Sequence, residues 1–221
     1  MYKKLNKADS FGNVICNLRD LSGDTFTFGG TPIAGGKSFS ISYDGESISF
    51  GNWDSEIDLN LNYNDGFSNW AIKNKEKIKN FLKGAFDQYC FDGEVIYIYG
   101  HWSGKGVVEN VALSELDASF FVSDVIIYVS NKVVHIPLEY LFPSGEKPTI
   151  ENFWSIEDFG ILFSNVDLSN VDESKDFFKT IEKETVDNCA IAHRFGIEGV
   201  GLGFSWKYYC DNGEILKFNL K

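Results

Sequence analysis

The stretch GEVIYIYGHWSGKGVVENVALSELDASFFVSDVIIYVSNKVV, residues 93–134, decides the reading of this chain. Its first apolar run, VIYIY, is rich in β-branched and aromatic residues, the composition of a buried strand. A glycine-punctuated loop follows, holding His101, Trp102, Ser103 and Lys105, and a second apolar run returns from Phe120 to Val129. Asp92-Gly93 before the first run and Ser130-Asn131-Lys132 after the second supply turns. A charged and aromatic cluster held on glycines between two core strands is a reasonable place for a site.

Outward from this stretch, two segments have a clear period. FSISYDGESISF, residues 39–50, alternates: Phe39, Ile41 and Tyr43 share a face, Asp44-Gly45 turns, and Ile48 and Phe50 return, which predicts a hairpin. From Phe67 to Tyr89 the period is helical, with Phe67, Trp70, Ala71, Ile78, Phe81, Leu82, Ala85 and Phe86 near one face. Lys73, Lys75, Lys77 and Lys79 on that helix are read as a solvated face, with a phosphate or acidic partner as the alternative. The acidic segment 52–66 between the two is irregular, and the Ser114-to-Asp117 spacing predicts a capped helical turn.

The remaining segments are shorter. Residues 1–27 show no strong period and predict a short strand or turn-rich lead-in, and GGTPIAGGK, residues 29–37, reads as a glycine-rich loop. PSGEKP reads as surface, residues 151–170 as short strands and turns, and Asp172 to Asn188 as a charged helix. A glycine-led strand, an Asp-Asn-Gly turn and a last strand close the chain. Strands joined by hairpins with helices between them predict an α+β fold with antiparallel sheets, in a single domain over 1–221.

Composition narrows the function. The 221 residues can bury roughly two thirds of their unfolded surface, so neither disulfide nor metal is needed to fold. Thirty-two acidic against 20 basic residues give a formal charge of -12, which argues against sequence-independent nucleic-acid binding. Cys16, Cys90, Cys189 and Cys210 are each isolated and read as reduced thiols. No signal-peptide core and no membrane-length run is present, so a soluble, cytoplasmic protein is expected.

Several motifs fall away on their chemistry. GGTPIAGGK lacks the Ser/Thr and spacing of a P-loop. GVGLG, residues 199–203, resembles half a dinucleotide fingerprint, but the strand-like FSWKYY follows instead of a helix. His101, His135 and His193 have no partners at zinc spacing. His101 is either an acid/base or ligand contact, or a strand-end histidine bonded to backbone. Lys105, between two glycines, is either an anion contact or a solvated loop residue. Trp102 and Trp206 could stack on a base, but burial alone explains both.

IYGHWSGKGVVENVALSEL followed by FFVSDVII resembles the central block of the RNA-ligase family of covalent nucleotidyltransferases. Three further blocks are similar in the same order: GGTPIAGGKSFSI to the nucleotidyl-lysine motif, NDGFSNW to the helix entry, and CAIAHRFGIEGVGLGFSWK to the fourth motif. The resemblance implies an adenylation domain of two packed antiparallel sheets with flanking helices. In that family a lysine amine attacks the α-phosphate of ATP, and carboxylates bind metal and sugar.

This chain departs from the family where the chemistry is done. The nucleophile position is Ile33, the third-motif glutamate is His101, the base-stacking aromatic is Ser123 ahead of Asp124, and the fourth-motif glutamate is Leu202. In LKFNLK, Asn219 takes the first lysine position of the fifth motif and only Lys221 can stand for the second. Lys37, four residues after Ile33, is the only local substitute for the amine.

The expectation is a catalytically inactive RNA-ligase-like protein that binds a nucleotide-derived ligand, such as a viral protein sequestering a host signalling nucleotide. Two alternatives stand beside it: a module that inhibits a host protein through its acidic surface, and an enzyme with altered nucleotide chemistry using His101 or Lys37. The candidate ligand-binding residues are Lys37, His101, Lys105, Ser123 and Lys207, with Trp206 as buried support. No catalytic residue, metal or cofactor is expected. The partner is a nucleotide-like small molecule or a host protein, with nucleic acid disfavoured and no membrane.

Overall fold

The computed structural model describes residues 9–19, 26–52, 55–61, 65–90, 94–129, 132–142, 149–209 and 215–220. In chain order the elements are β1 (Asp9–Ser10), α1 (Phe11–Arg19), β2 (Phe26–Pro32), β3 (Lys37–Tyr43), β4 (Ile48–Gly51), α2 (Phe67–Tyr89), β5 (Ile96–Ser103) and β6 (Ser119–Val129). They continue with β7 (Lys132–Ile136), α3 (Leu138–Leu141), β8 (Phe153–Ser155), β9 (Ile161–Val166), α4 (Val171–Asp187), α5 (Ala190–Arg194), β10 (Phe204–Tyr209) and β11 (Ile215–Asn219). Among the described residues the strands form two sheets, ordered β1-β11-β10-β2-β9 and β4-β3-β5-β6-β7, with β8 paired to β6. All pairings are antiparallel except β1 with β11 and β6 with β8, so the α+β, antiparallel architecture expected from the sequence is the one observed.

The chain divides into two compact units. The first, built chiefly from Ala34–Glu109 and Ser114–Asp158, holds the β4-β3-β5-β6-β7 sheet. Its hairpin pairs Tyr43 with Ile48 and Ile41 with Phe50, as the alternation predicts. The Asp44 carboxylate accepts the Glu46 and Ser47 N–H groups at 3.0 and 2.7 Å, which closes the turn and holds its acid pKa below the ordinary value. Helix α2 spans the predicted 67–89 and lays its apolar stripe on the sheet, with Phe67 stacked on Phe39 at 3.8 Å and Trp70 against Phe120 at 5.7 Å. Lys75 and Lys77 face solvent and Lys73 meets Glu151 at 2.8 Å, as a polar helix face requires.

The second unit, Leu5–Ile33, Asn110–Leu113 and Phe159–Lys221, holds the other sheet. Its core is aromatic: Phe28, Phe178, Phe204, Trp206 and Phe218 are all buried, with Phe178 edge-on to Trp206 at 4.7 Å. Helix α4 is capped by Asn170, whose carboxamide oxygen accepts the Asp172 and Glu173 N–H groups.

Three sequence expectations are corrected. The turn-rich lead-in contains the helix α1, because Phe11, Val14, Ile15 and Leu18 form a stripe buried against the aromatic core. The glycine-rich loop is shorter than 29–37: Gly29 to Pro32 belong to β2 and Lys37 opens β3, leaving Ile33–Gly36 as the connection. The strand expected to end before His101 runs on through Ser103. The predicted helical turn near Ser114 forms, but over Ala112–Glu115. The turns at Asp92-Gly93, Ser130-Asn131 and Asp211-Asn212-Gly213, and the segment 143–148, lie outside the described residues.

Candidate functional site

In the second unit, β2 and β10 pair antiparallel with Gly29 opposite Lys207, Gly30 opposite Trp206 and Pro32 opposite Phe204. One step beyond this ladder, the Ile33 N–H donates to the Gly203 carbonyl at 2.9 Å. That bond sets Ile33, the position of the nucleophile in the resemblance, beside Gly203, the residue after Leu202, which takes the position of the fourth-motif glutamate. Leu202 is 42% exposed, and Ile33 is half-buried. Both offer hydrocarbon, so neither supplies an amine nor an oxygen ligand.

Side chains alternate along β10. Phe204 and Trp206 enter the aromatic core, which turns Ser205 and Lys207 to the opposite face. Lys207 is 4% exposed and lies directly across from Lys217 of β11, while Ser205 lies across from Asn219. The two lysines thus stand side by side on one face of the sheet. The Asn219 Oδ1 atom is buried with no hydrogen-bond partner among the described residues. Lys217 was missed in the sequence, although alternation around the core residue Phe218 puts it on the same face as Asn219. Lys221 lies outside the described residues.

In the first unit, Trp102 points to α2: its ring lies 5.8 Å from Phe67 and 5.4 Å from Trp70, and its indole N–H donates to the Asp65 carbonyl at 2.8 Å. It is a core residue, and so is Trp206. Alternation then places half-buried His101 on the other face of β5, where its Nδ1 lies 3.2 Å from Oγ of Ser38, its cross-strand partner. Tyr99 and Tyr97 continue that face, stacked at 6.1 Å, with Tyr128 edge-on to Tyr97 at 5.4 Å. Burial pushes the Tyr97 and Tyr128 hydroxyls above their ordinary pKa.

Ser123 is the extra residue of a β-bulge, since Tyr99 pairs with Asp124 and Gly100 with Val122. Its hydroxyl donates to the Tyr99 carbonyl at 3.2 Å, so this position supplies a backbone brace rather than an aromatic platform. Lys105 is exposed at the tip of a turn between Gly104 and Gly106, with its own N–H donating to the Leu116 carbonyl at 2.7 Å. Lys37 pairs across from Trp102 on the α2 face and forms an ion pair with Asp65. The structure therefore brings His101 and Ser38 together and Lys207 and Lys217 together, but puts Lys37 on the face opposite His101. Among the described residues, no group of three His, Cys, Asp or Glu side chains converges as a metal site, and no helix is long and apolar enough to cross a membrane.

No family model matches the chain, and no curated protein matches it. Among solved structures it is similar to an RNA ligase from Naegleria gruberi. A mutant of that ligase with ATP and Mn aligns with a TM-score of 0.62 at 15% identity, over 99% of this chain and 56% of that one. The same ligase with PPi gives a TM-score of 0.62 at 14% identity, over 99% and 56% of the two chains. A mutant without ligand gives 0.58 at 16% identity, over 97% and 54%. The chain thus spans about half the length of the structures it matches. The likeness is one of fold: two antiparallel sheets with flanking helices, shared with about half of this RNA ligase.

Proposed function

We propose that this chain is a catalytically inactive nucleotidyltransferase-fold protein that binds a nucleotide-derived ligand. The observation that carries the reading is the junction where the Ile33 N–H meets Gly203, the residue after Leu202: the two positions where ligation chemistry needs an amine and a carboxylate are Ile33 and Leu202, and both are hydrocarbon. A lysine adduct has no nucleophile there, and a divalent cation has no oxygen ligand from position 202. The sheet beside this junction keeps a phosphate-compatible face in Lys207, Lys217 and Asn219. A fold with its cores intact and an altered reactive end suits retention of a ligand, including sequestration of a signalling nucleotide by a viral protein.

Two measurements test the reading together. Incubation with ATP labelled at the α-phosphate, with manganese or magnesium, is expected to leave the protein unlabelled; a covalent protein–nucleotide adduct would show an active enzyme. Calorimetric titration with mono-, di- and cyclic nucleotides is expected to find a ligand without added metal. Absence of any binding tighter than about 1 mM across the panel removes the binding role.

A further inference from the structure

Segment 199–204, GVGLGF, is held by backbone hydrogen bonds to four separate parts of its unit. The Cys189 N–H donates to the Gly199 carbonyl at 2.8 Å, the Ala112 N–H to Val200 at 2.9 Å, the Gly201 N–H to Val186 at 2.8 Å, and the Ile33 N–H to Gly203 at 2.9 Å. Side-chain packing holds the segment at Phe204, which is buried in the aromatic core, but contributes little before it, because Val200 and Leu202 are 48% and 42% exposed. The fifth restraint is a side chain. Glu182, one turn before Val186 on α4, accepts the Phe204 N–H. It occupies the space that Gly203 leaves open: at φ +98, a Cβ on Gly203 would lie 2.7 Å from the Glu182 Oε1.

We infer that Glu182 is the positioning residue of the Ile33–Gly203 junction: bonded to the Phe204 N–H beneath Gly203, it fixes the start of β10 and so the bond from Ile33 to Gly203 and the placement of Leu202 that precedes it. The role of that junction in ligand binding rests on the function proposed above. A carboxylate makes a stronger bond to an N–H than a neutral acceptor does. Burial pushes its acid pKa above the ordinary carboxylate value, and the Phe204 N–H bond opposes that shift. Glutamine keeps an acceptor at the same reach, whereas alanine removes it.

Hydrogen exchange by mass spectrometry on the full chain tests this, with wild type, Glu182→Ala and Glu182→Gln compared at neutral pH and urea unfolding measured in parallel. The alanine variant is expected to exchange about tenfold faster or more over 199–204 while α2 keeps its protection, and the glutamine variant to recover most of the loss. Unchanged protection in the alanine variant overturns the inference. So does a glutamine variant that loses as much protection as alanine, which also decides the matter where alanine prevents folding. Nucleotide titration separates this inference from the function it rests on. No binding to wild type removes the ligand role and leaves the exchange result standing. Equal binding by wild type and an alanine variant with lost protection overturns the positioning role and leaves the ligand role intact.

Discussion

Gly30→Ala is expected to destabilise the second unit, because Gly30 lies against the largest buried ring of its core. A Cβ there would lie 2.7 Å from Phe204 Cδ1 and 2.8 and 3.1 Å from Trp206 Cζ3 and Cε3. Neither ring can withdraw freely: Trp206 has Phe178 at 4.7 Å, Phe163 at 5.7 Å and Phe204 at 5.7 Å. Overpacking of this kind costs about 1–3 kcal/mol. The lower unfolded-state entropy of alanine returns about 0.4–1 kcal/mol. The expected net loss is therefore about 1–2 kcal/mol. Trp206→Phe supplies the check. It shortens the ring that the new methyl would strike, and it removes an indole N–H that is buried without a partner among the described residues, a group that costs about 1–3 kcal/mol to leave unmade. Urea unfolding followed by circular dichroism on wild type, both single variants and the double variant gives the cycle. The double variant should be more stable than the sum of the singles by about 1 kcal/mol. Gly30→Ala within about 0.5 kcal/mol of wild type, or a coupling of zero, refutes the reasoning.

Other consequences follow from the site and the turns. Lys217→Ala should weaken nucleotide binding by about tenfold and flatten its salt dependence, whereas Lys37→Ala, on the face opposite His101, should leave the affinity within about twofold in the same titration. Asp44→Ala should cost about 1 kcal/mol at neutral pH, read by urea unfolding. The folded Asp44 acid pKa is lowered by the Ser47 and Glu46 N–H bonds, so its contribution is present above the unfolded value near 3.8 and is lost as pH falls through the folded one. The gap between wild type and variant should therefore close in acid. Burial pushes the Cys90 thiol up to about 12, so iodoacetamide at pH near neutrality should leave it unmodified in the native protein, as peptide mass spectrometry would read.

Elements with a long period were legible and those that depend on distant partners were not. The α2 stripe fixes 67–89 because 23 residues sample several turns of one face. Helix α1 has a stripe of only four apolar residues, diluted by Gly12, Asn13 and Asn17, which favour helix weakly. Its stability comes from the aromatic core it covers. Gly29-Gly30 reads as a loop because glycine usually does, yet β2 needs a glycine where an indole approaches from a strand far along the chain; Thr31 Oγ1 bonds the Ser205 carbonyl 174 residues away. The placement of Lys37 was within reach, since it lies two residues before Phe39 on the face already assigned to the core. The bulge at Ser123 was not, because only the pairing of Tyr99 with Asp124 reveals the extra residue.

The order in which the pieces of the second unit leave the ribosome has its own consequence. Strand β2 is made early, but both of its partners, β9 and β10, come from the segment that begins at Phe159. At about 5–20 residues per second, β2 waits on the order of ten seconds for β10. Until β9 emerges, Phe26 and Phe28 have neither of the strands that flank them, and by then the strands β3 to β8 of the first unit are already complete. Synthesis thus favours closure of the first unit ahead of the second, and a nascent chain stalled soon after residue 158 would present the apolar strand Phe26–Pro32 to chaperones or to other chains.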